Sequence, residues 1–173
     1  YARQFTIYND VIYIADTYGR KVKSFTLTGQ CKDIWFTGQY PHAIAANSNY
    51  VFVGHPSNSI SVLDHRLNQR STESINSNYL SYAWGMSINS AGNKLAIADY
   101  NKNHVVEFSI SGTSLNYTQR TNSSYSSSNG YYRRPTDTGY DSSGNIYASD
   151  LYNHRIQKKN SSLAYQTKTG SYS

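Results

Sequence analysis

Apolar and polar positions follow the same order four times along the chain. In each unit a short, β-branched apolar segment ends at an anchor position, and a polar loop then leads into a second strand-like segment. The anchors are Asp16, His55, Asp99 and Asp150, which lie 39, 44 and 51 residues apart. A repeat of about 40 residues built from short strands is typical of a radial array of small β-sheets.

Each unit can be divided into four strands joined by tight turns. The turns at residues 90–93 and 142–145 contain Gly and Asn, which accept the positive φ that tight hairpins require. The second strand of each unit is the most apolar, as expected for a strand covered on both faces, and the fourth is the most polar, as expected for an edge strand. No stretch has sustained helical periodicity. The sequence therefore predicts an all-β fold.

We expect a single domain over residues 1–173, a length sufficient for a substantial core. The segment after the third unit is rich in Ser, Asn and Tyr and lacks a strand pattern, so residues 121–132 are predicted to form a flexible loop. The four units are predicted to cover about residues 3–39, 40–80, 82–120 and 133–170.

The fourth unit carries a recognisable motif. Pro135 precedes a strand, the strand after Gly144-Asn145 ends at Asp150, and Asn-His-Arg-Ile follows at residues 153–156. This pattern resembles the NHL repeat, and the other three units resemble it in degenerate form; YWTD propellers share the strand that ends in Asp. The resemblance implies a β-propeller of about four NHL-like, four-stranded antiparallel blades. NHL propellers usually close with six blades, so we expect either a four-bladed ring or an incomplete arc of a larger one.

Composition narrows the classes of function. Only 15% of residues are charged, the net charge is +6 and the pI is about 9.3, which permits an anionic partner. The single cysteine, Cys31, excludes an internal disulfide framework and a multi-cysteine metal site. No apolar run approaches the roughly 18 residues of a membrane helix, so no membrane span is expected.

Propeller geometry divides the loops between two rims. Loops between second and third strands and connections between blades share one rim, which we call the upper rim, and the other hairpins form the lower rim. Basic groups interleaved with aromatic rings suit single-stranded nucleic acid, and tyrosine also suits protein interfaces. The candidate binding residues of the upper rim are Tyr18, Arg20, Lys21, Tyr100, Lys102, Tyr131, Tyr132, Arg133, Arg134, Tyr152 and Arg155.

Other polar residues are expected to serve the repeat itself. Asp16, Asp99 and Asp150 end buried strands and are predicted to accept hydrogen bonds from loop amides or a neighbouring arginine. His154 belongs to the repeat motif and is predicted to bond between blades. Three sequons place candidate N-glycosylation sites on polar segments, at Asn116, Asn122 and Asn160.

Three functions remain open at this stage. The first hypothesis is a non-catalytic, extracellular or cell-surface module that binds a protein or self-assembles, without cofactor or metal. The alternative, implied by the NHL domains of the TRIM class, is a cytoplasmic domain that binds RNA through the basic, Tyr-rich rim. The third is a zinc-dependent enzyme resembling amidating lyases of this fold. None of the five histidines stands at a close ligand spacing, which disfavours the zinc enzyme.

Overall fold

The computed structural model describes residues 1–170, which form sixteen strands in four antiparallel four-stranded sheets. A short 3-10 helix, Leu151–Asn153, follows the second strand of the fourth sheet. The strands are β1 (Ala2–Tyr8), β2 (Val11–Asp16), β3 (Lys21–Thr26) and β4 (Cys31–Phe36); β5 (Ala43–Ala46), β6 (Val51–Gly54), β7 (Ser59–Leu63) and β8 (Gln69–Ser74); β9 (Ala83–Ile88), β10 (Lys94–Asp99), β11 (His104–Ser111) and β12 (Ser114–Arg120); and β13 (Pro135–Tyr140), β14 (Ile146–Asp150), β15 (Arg155–Lys159) and β16 (Tyr165–Thr169).

The sheets are blades one to four of a propeller. Each is a meander in which neighbours in the chain are neighbours in the sheet. The first strands lie innermost, because β1 packs beside β5, β5 beside β9, and β9 beside β13. The fourth strands are the outer edges, and β8 and β16 are largely exposed, as their polar sequences predicted. The predicted all-β, four-bladed architecture is confirmed. Within residues 1–170 no helix has the length and apolarity needed to cross a membrane.

The core consists of apolar layers between successive blades. The layer between blades two and three is the largest and includes Phe52, Ile60, Leu95, Ile97 and Phe108, all almost fully buried. Burying a side chain of this size contributes about 1.5–3 kcal/mol, so each layer stabilises the pair of blades that it joins. The layer between blades three and four is smaller.

Blade one keeps an open apolar face. Four large apolar side chains on this face are exposed to solvent: Phe5 (64%), Ile7 (55%), Ile34 (47%) and Phe36 (71%). Strand register places Phe5 and Ile34 in one cross-strand row, in which Ile14 and its β3 partner Lys23 lie between them. The other face of blade one is buried against blade two. The four blades are therefore an arc in which the outer face of blade one is uncovered.

One glutamine joins the inner strands where they converge. The Nε2 of Gln4 on β1 donates to the Met86 carbonyl (3.1 Å) and to Asp137 Oδ1 (2.8 Å), and its Oε1 accepts from the Ile44 amide (2.8 Å). These partners belong to blades three, four and two. Nearby, a side chain at Gly85 would overlap the Asp137 backbone, so glycine permits β9 and β13 to approach closely.

Hydrogen bonds attach the connection between blades three and four, predicted as a flexible loop over 121–132, to blade four. Alternate side chains of β15 reach back to the carbonyls of this segment. Arg155 donates to Ser127 and Ser128 (2.8 and 2.9 Å), and Lys159 donates to Gly130 (2.9 Å). Composition could not reveal these bonds, because the partners lie more than twenty residues away on a strand.

Candidate functional site

The upper rim carries a stack of aromatic rings and guanidinium groups. The Arg3 guanidinium carbon lies 3.4 Å from the centroid of the Trp84 ring, and the Tyr100 ring stacks on Trp84 at 4.2 Å with an interplanar angle of 15°. Two groups this close to one centroid cannot share a face, so Trp84 is sandwiched between Arg3 and Tyr100. The Arg134 guanidinium lies 4.6 Å from the Tyr100 ring and continues the stack. Such cation–π contacts stabilise a guanidinium by about 0.5–2 kcal/mol.

Inner strands position this stack. Arg3 lies near the start of β1 and Trp84 near the start of β9, where both strands enter from the upper rim. His42 precedes β5, and its ring meets Trp84 edge-on with centroids 5.4 Å apart. Arg3 donates a 3.2 Å hydrogen bond from Nη1 to His42 Nδ1. Burial, reinforced by the Arg3 charge, lowers the pKa of His42 to about 4, so its ring is neutral at pH 7.

A cavity opens beside Arg3 and Trp84. Its volume is about 460 Å³, and its polar side chains are mostly aromatic or cationic. The walls are contributed by blades one, two and three, because the connections between blades meet at this rim. Its lining is Tyr1, Arg3, Thr17, Tyr18, Tyr40, His42, Pro56, Tyr82 and Trp84.

Three pairs of arginine and tyrosine lie along the rim. Arg20 stacks over Tyr40 (4.5 Å) and also bonds its hydroxyl, and Arg133 lies over Tyr125 (4.8 Å). The third pair is Arg134 with Tyr100. Among residues 1–170, Arg3, Arg20, Arg133 and Arg134 form no ion pair with a carboxylate. The rim therefore combines stacked rings with positive charge that the protein itself does not neutralise.

Several predicted binding residues lie on this surface. Tyr18 and Arg20 are exposed, Tyr152 is 46% exposed, and Lys102 is half-buried. Arg134 donates to Asn101 Oδ1 (3.0 Å), which fixes its guanidinium beside Tyr100.

Three others point elsewhere, which corrects their assignment to an open rim. Tyr132 is 0% exposed, within the layer between blades three and four. Arg155 is 7% exposed because it is bound to Asp150 and to the loop carbonyls. The Lys21 ammonium lies 5.5 Å from the Phe36 ring, on the open face of blade one. Tyr131 is half-buried, and its carbonyl accepts from Arg155 and Gln157.

The anchor carboxylates accept hydrogen bonds from loop residues. The buried Asp99 accepts from the amides of Ser81 (2.7 Å) and Lys102 (3.1 Å); burial nevertheless raises its pKa. Asp150 accepts from the Arg133 amide (2.6 Å) and from Arg155 Nε (2.7 Å).

The first and second anchors differ in their chemistry. Asp16 accepts from the Gly19 amide (3.2 Å) and pairs with Lys23 Nζ (2.9 Å). His55, which replaces the carboxylate in blade two, bonds the Ser61 hydroxyl instead (2.9 Å). His154 is exposed and takes up the left-handed backbone conformation at the end of the 3-10 helix.

The histidines are dispersed over the blades. Within the described part of the chain, no group of three or more His, Cys, Asp or Glu side chains is arranged to hold a metal ion. His55 and His104 are buried, and desolvation lowers the pKa of each to about 4. They are neutral core residues at pH 7.

Sequence reasoning missed Arg3 and Trp84 as members of the site, and left Tyr40, His42 and Tyr82 out of the chosen binding set. Trp84 lies at the start of a predicted inner strand and Arg3 directly precedes another, whereas the candidate binding residues were taken from loops. The signal available in the sequence is an arginine and a tryptophan at the start of the inner strands of blades one and three, which places their side chains at the upper rim.

The arrangement defines a β-propeller arc with a cationic, aromatic rim, and comparisons with known proteins agree on the fold. The family model described as "NHL repeat" matches residues 132–158, from the start of blade four through most of β15. The predicted resemblance to NHL repeats is therefore confirmed for this repeat. A search of curated protein sequences found no match.

Solved structures with a similar fold include two proteins that the chain matches over most of its length. Hydrazine synthase of Kuenenia stuttgartiensis matches with a TM-score of 0.73 and 14% identity, over 94% of this chain and 46% of that chain. Virginiamycin B lyase of Staphylococcus aureus matches with a TM-score of 0.71 and 14% identity, over 98% of this chain and 55% of that chain. At this identity the likeness shows the fold alone. The chain spans about half the length of each protein.

Proposed function

We propose that this chain is a non-catalytic propeller module that binds an acidic partner protein through its upper rim, outside the cell or at its surface. The observation that carries the proposal is the set of four arginines stacked on aromatic rings without a carboxylate partner. Tyr, Trp and Arg are the residue types enriched at the energetic centres of protein interfaces. Their positive charge favours encounter with an acidic partner.

Selection of peptides from a random displayed library tests this proposal. We expect the enriched peptides to be acidic and to lose binding when the upper rim is altered by Arg20→Glu or Lys102→Glu. Lys32→Glu on the lower rim makes the same change of charge at an exposed position and should leave binding intact. Neutral peptides, or binding that Lys32→Glu weakens equally, would count against the rim as the interface.

RNA is the second candidate, because stacked rings and unpaired arginines also suit single-stranded nucleic acid. A titration of fluorescent oligouridylate, followed by anisotropy at several salt concentrations, separates the two functions. An RNA-binding domain would show affinity that falls steeply with salt and is lost in Arg20→Glu. If the partner is a protein, we expect the oligouridylate to bind weakly, and the upper-rim variants should hardly change that affinity.

Self-assembly is a second form of the same proposal. The open face of blade one presents Phe5, Ile7, Ile34 and Phe36 in the positions that other blades bury against a neighbour. Within the described residues, the outer face of blade four exposes fewer large apolar side chains, namely Tyr147, which pairs with Lys158, and Ile156, which pairs with Ser149. We therefore infer that blade one of one copy packs on blade one of a second copy, in a two-fold symmetric contact.

A further inference from the structure

We propose that the cavity beside Arg3 is a receptor for a carboxylate side chain of the partner protein, which enters between the aromatic walls and is held by the Arg3 guanidinium. This inference rests on the proposed function and deepens it, because it identifies the anchor point of the interface and the chemical group that fills it.

The first support is the set of hydrogen-bond donors that Arg3 leaves unused. A guanidinium has five N–H donors, and within residues 1–170 the side-chain hydrogen bond of Arg3 uses one nitrogen, from Nη1 to His42 Nδ1. The Trp84 ring covers the guanidinium, with its centroid 3.4 Å from Cζ. The remaining donors of a guanidinium form a rigid fork, the geometry that binds a carboxylate through two parallel hydrogen bonds.

The second support is the electrostatic character of the cavity. His42 is neutral at pH 7, so Arg3 is the charged side chain among those that line the cavity. The anchor carboxylate closest in sequence, Asp16, is paired with Lys23 Nζ at 2.9 Å and with the Tyr1 ammonium at 3.5 Å. An entering carboxylate would therefore meet an unneutralised cation, whereas an entering ammonium group would be repelled.

The third support is the composition of the walls. Tyr18, Tyr40 and Tyr82 provide broad, rigid surfaces with few rotatable bonds, which pack against the apolar part of an entering side chain at low entropic cost. Trp84 is held on both faces and cannot turn away. A pre-formed cavity of aromatic rings around one arginine has the composition of an interface hot spot, which favours a protein side chain as the occupant.

A pair of peptides that differ in one group tests the inference. The probes are acetyl-Ala-Leu-Glu-Leu-Ala-amide and its twin with Gln in place of Glu. Binding is followed through the indole N–H signal of Trp84, which a Trp35→Phe background distinguishes from the second tryptophan. We expect the Glu peptide to bind at least tenfold more tightly than the Gln peptide, because only the carboxylate makes charge-assisted hydrogen bonds with Arg3.

Variants of Arg3 decide the outcome. In Arg3→Gln the two peptides should bind equally weakly, and in Arg3→Lys the preference should be intermediate because the charge remains and the fork is lost. Lys32→Gln, which removes an exposed charge from the lower rim, should keep the tenfold preference. Thermal unfolding of each variant verifies that the blades remain folded.

Three results would overturn the inference: equal affinity for both peptides, a preference that survives in Arg3→Gln, or saturation by glucuronate with no binding of the Glu peptide. The last would assign the cavity to an acidic sugar. Failure of the proposed function would look different. In that case the library selection would yield no peptides whose binding is lost in Arg20→Glu or Lys102→Glu.

Discussion

Gln4 and Asp137 lie 133 residues apart in the sequence, yet the Gln4 side-chain amide donates a 2.8 Å hydrogen bond to the Asp137 carboxylate. Among residues 1–170 this is the one hydrogen bond between side chains of blades one and four. Gln4 also bonds the backbone of blades two and three through Ile44 and Met86. One neutral side chain thus satisfies polar groups from three other blades at the point where the inner strands meet.

Replacing Gln4 by alanine should destabilise the whole arc. The change leaves the Ile44 and Met86 amides and the Asp137 carboxylate without this partner, and we expect a loss of about 2 kcal/mol in the free energy of unfolding. Urea denaturation measures the loss. Gln69→Ala, in an exposed edge strand, is the control and should change stability by less than about 0.5 kcal/mol. Equal losses in the two variants would contradict the role of Gln4.

The hydrogen bond between Gln4 and Asp137 is a feature of the fold that could not be predicted from the sequence. The repeat period, the apolar second strands and the turn residues predicted four blades, because those signals are local. The role of Asp137, in the polar inner strand of blade four, depends on Gln4 in blade one and has no local signal. Similarly, the rim was predicted from its loops, but Arg3 and Trp84 come together only through contact between blades one and three.

Stability should depend on the buried histidines. Burial lowers the pKa of His55 and His104 to about 4 in the folded chain. Below about pH 6.5 these histidines bind a proton in the unfolded chain, whereas in the folded chain they stay neutral until the pH approaches 4. The free energy of unfolding should therefore fall between pH 6.5 and 4, by up to about 3 kcal/mol for each histidine, and this histidine contribution should level off below pH 4. Urea denaturation at several pH values measures this dependence.

The matched variants are His104→Gln and His154→Gln. Removing the buried His104 should flatten the loss of stability across this pH range, while the same change at the exposed His154 should preserve the steep dependence. If the free energy of unfolding of His104→Gln depends on pH in the same way as that of the unmodified chain, His104 is not a source of the pH dependence.

Arg155 should control the loop that joins blades three and four. Its guanidinium bonds Asp150 and three loop carbonyls, and both Arg155 and Asp150 are buried. Arg155→Leu leaves Asp150 without its cation, which costs about 3–5 kcal/mol, and releases the loop. Chymotrypsin should then cleave after Tyr125 or Tyr131 at least tenfold faster. The exposed Arg66, changed to Leu, serves as control; similar cleavage in both variants would disprove the clamp.

The proposed location outside the cell makes a prediction about glycans. Asn116 and Asn122 are exposed, whereas the side-chain Oδ1 of Asn160 accepts hydrogen bonds from the Ser162 and Ala164 amides in a tight turn. We expect the chain made in a eukaryotic secretory system to exceed 19.5 kDa by whole sugar units. Asn116→Gln combined with Asn122→Gln should remove most of the added mass, as measured by denaturing mass spectrometry. A secreted chain of unmodified mass would contradict this prediction.

The open face of blade one predicts a concentration-dependent dimer. Phe36 is 71% exposed and lies on the same face as Ile34 and Phe5, so pairing two such faces would remove these apolar side chains from water. Phe36→Glu should weaken dimerisation, measured by sedimentation equilibrium, at least tenfold, because it replaces the most exposed of these apolar side chains by a charge that the contact would have to desolvate. Leu27→Glu provides the control, since Leu27 is 56% exposed in a turn of the same blade, outside this sheet face. A monomer at all concentrations, or equal weakening by the two changes, would show that this face does not pair copies of the chain.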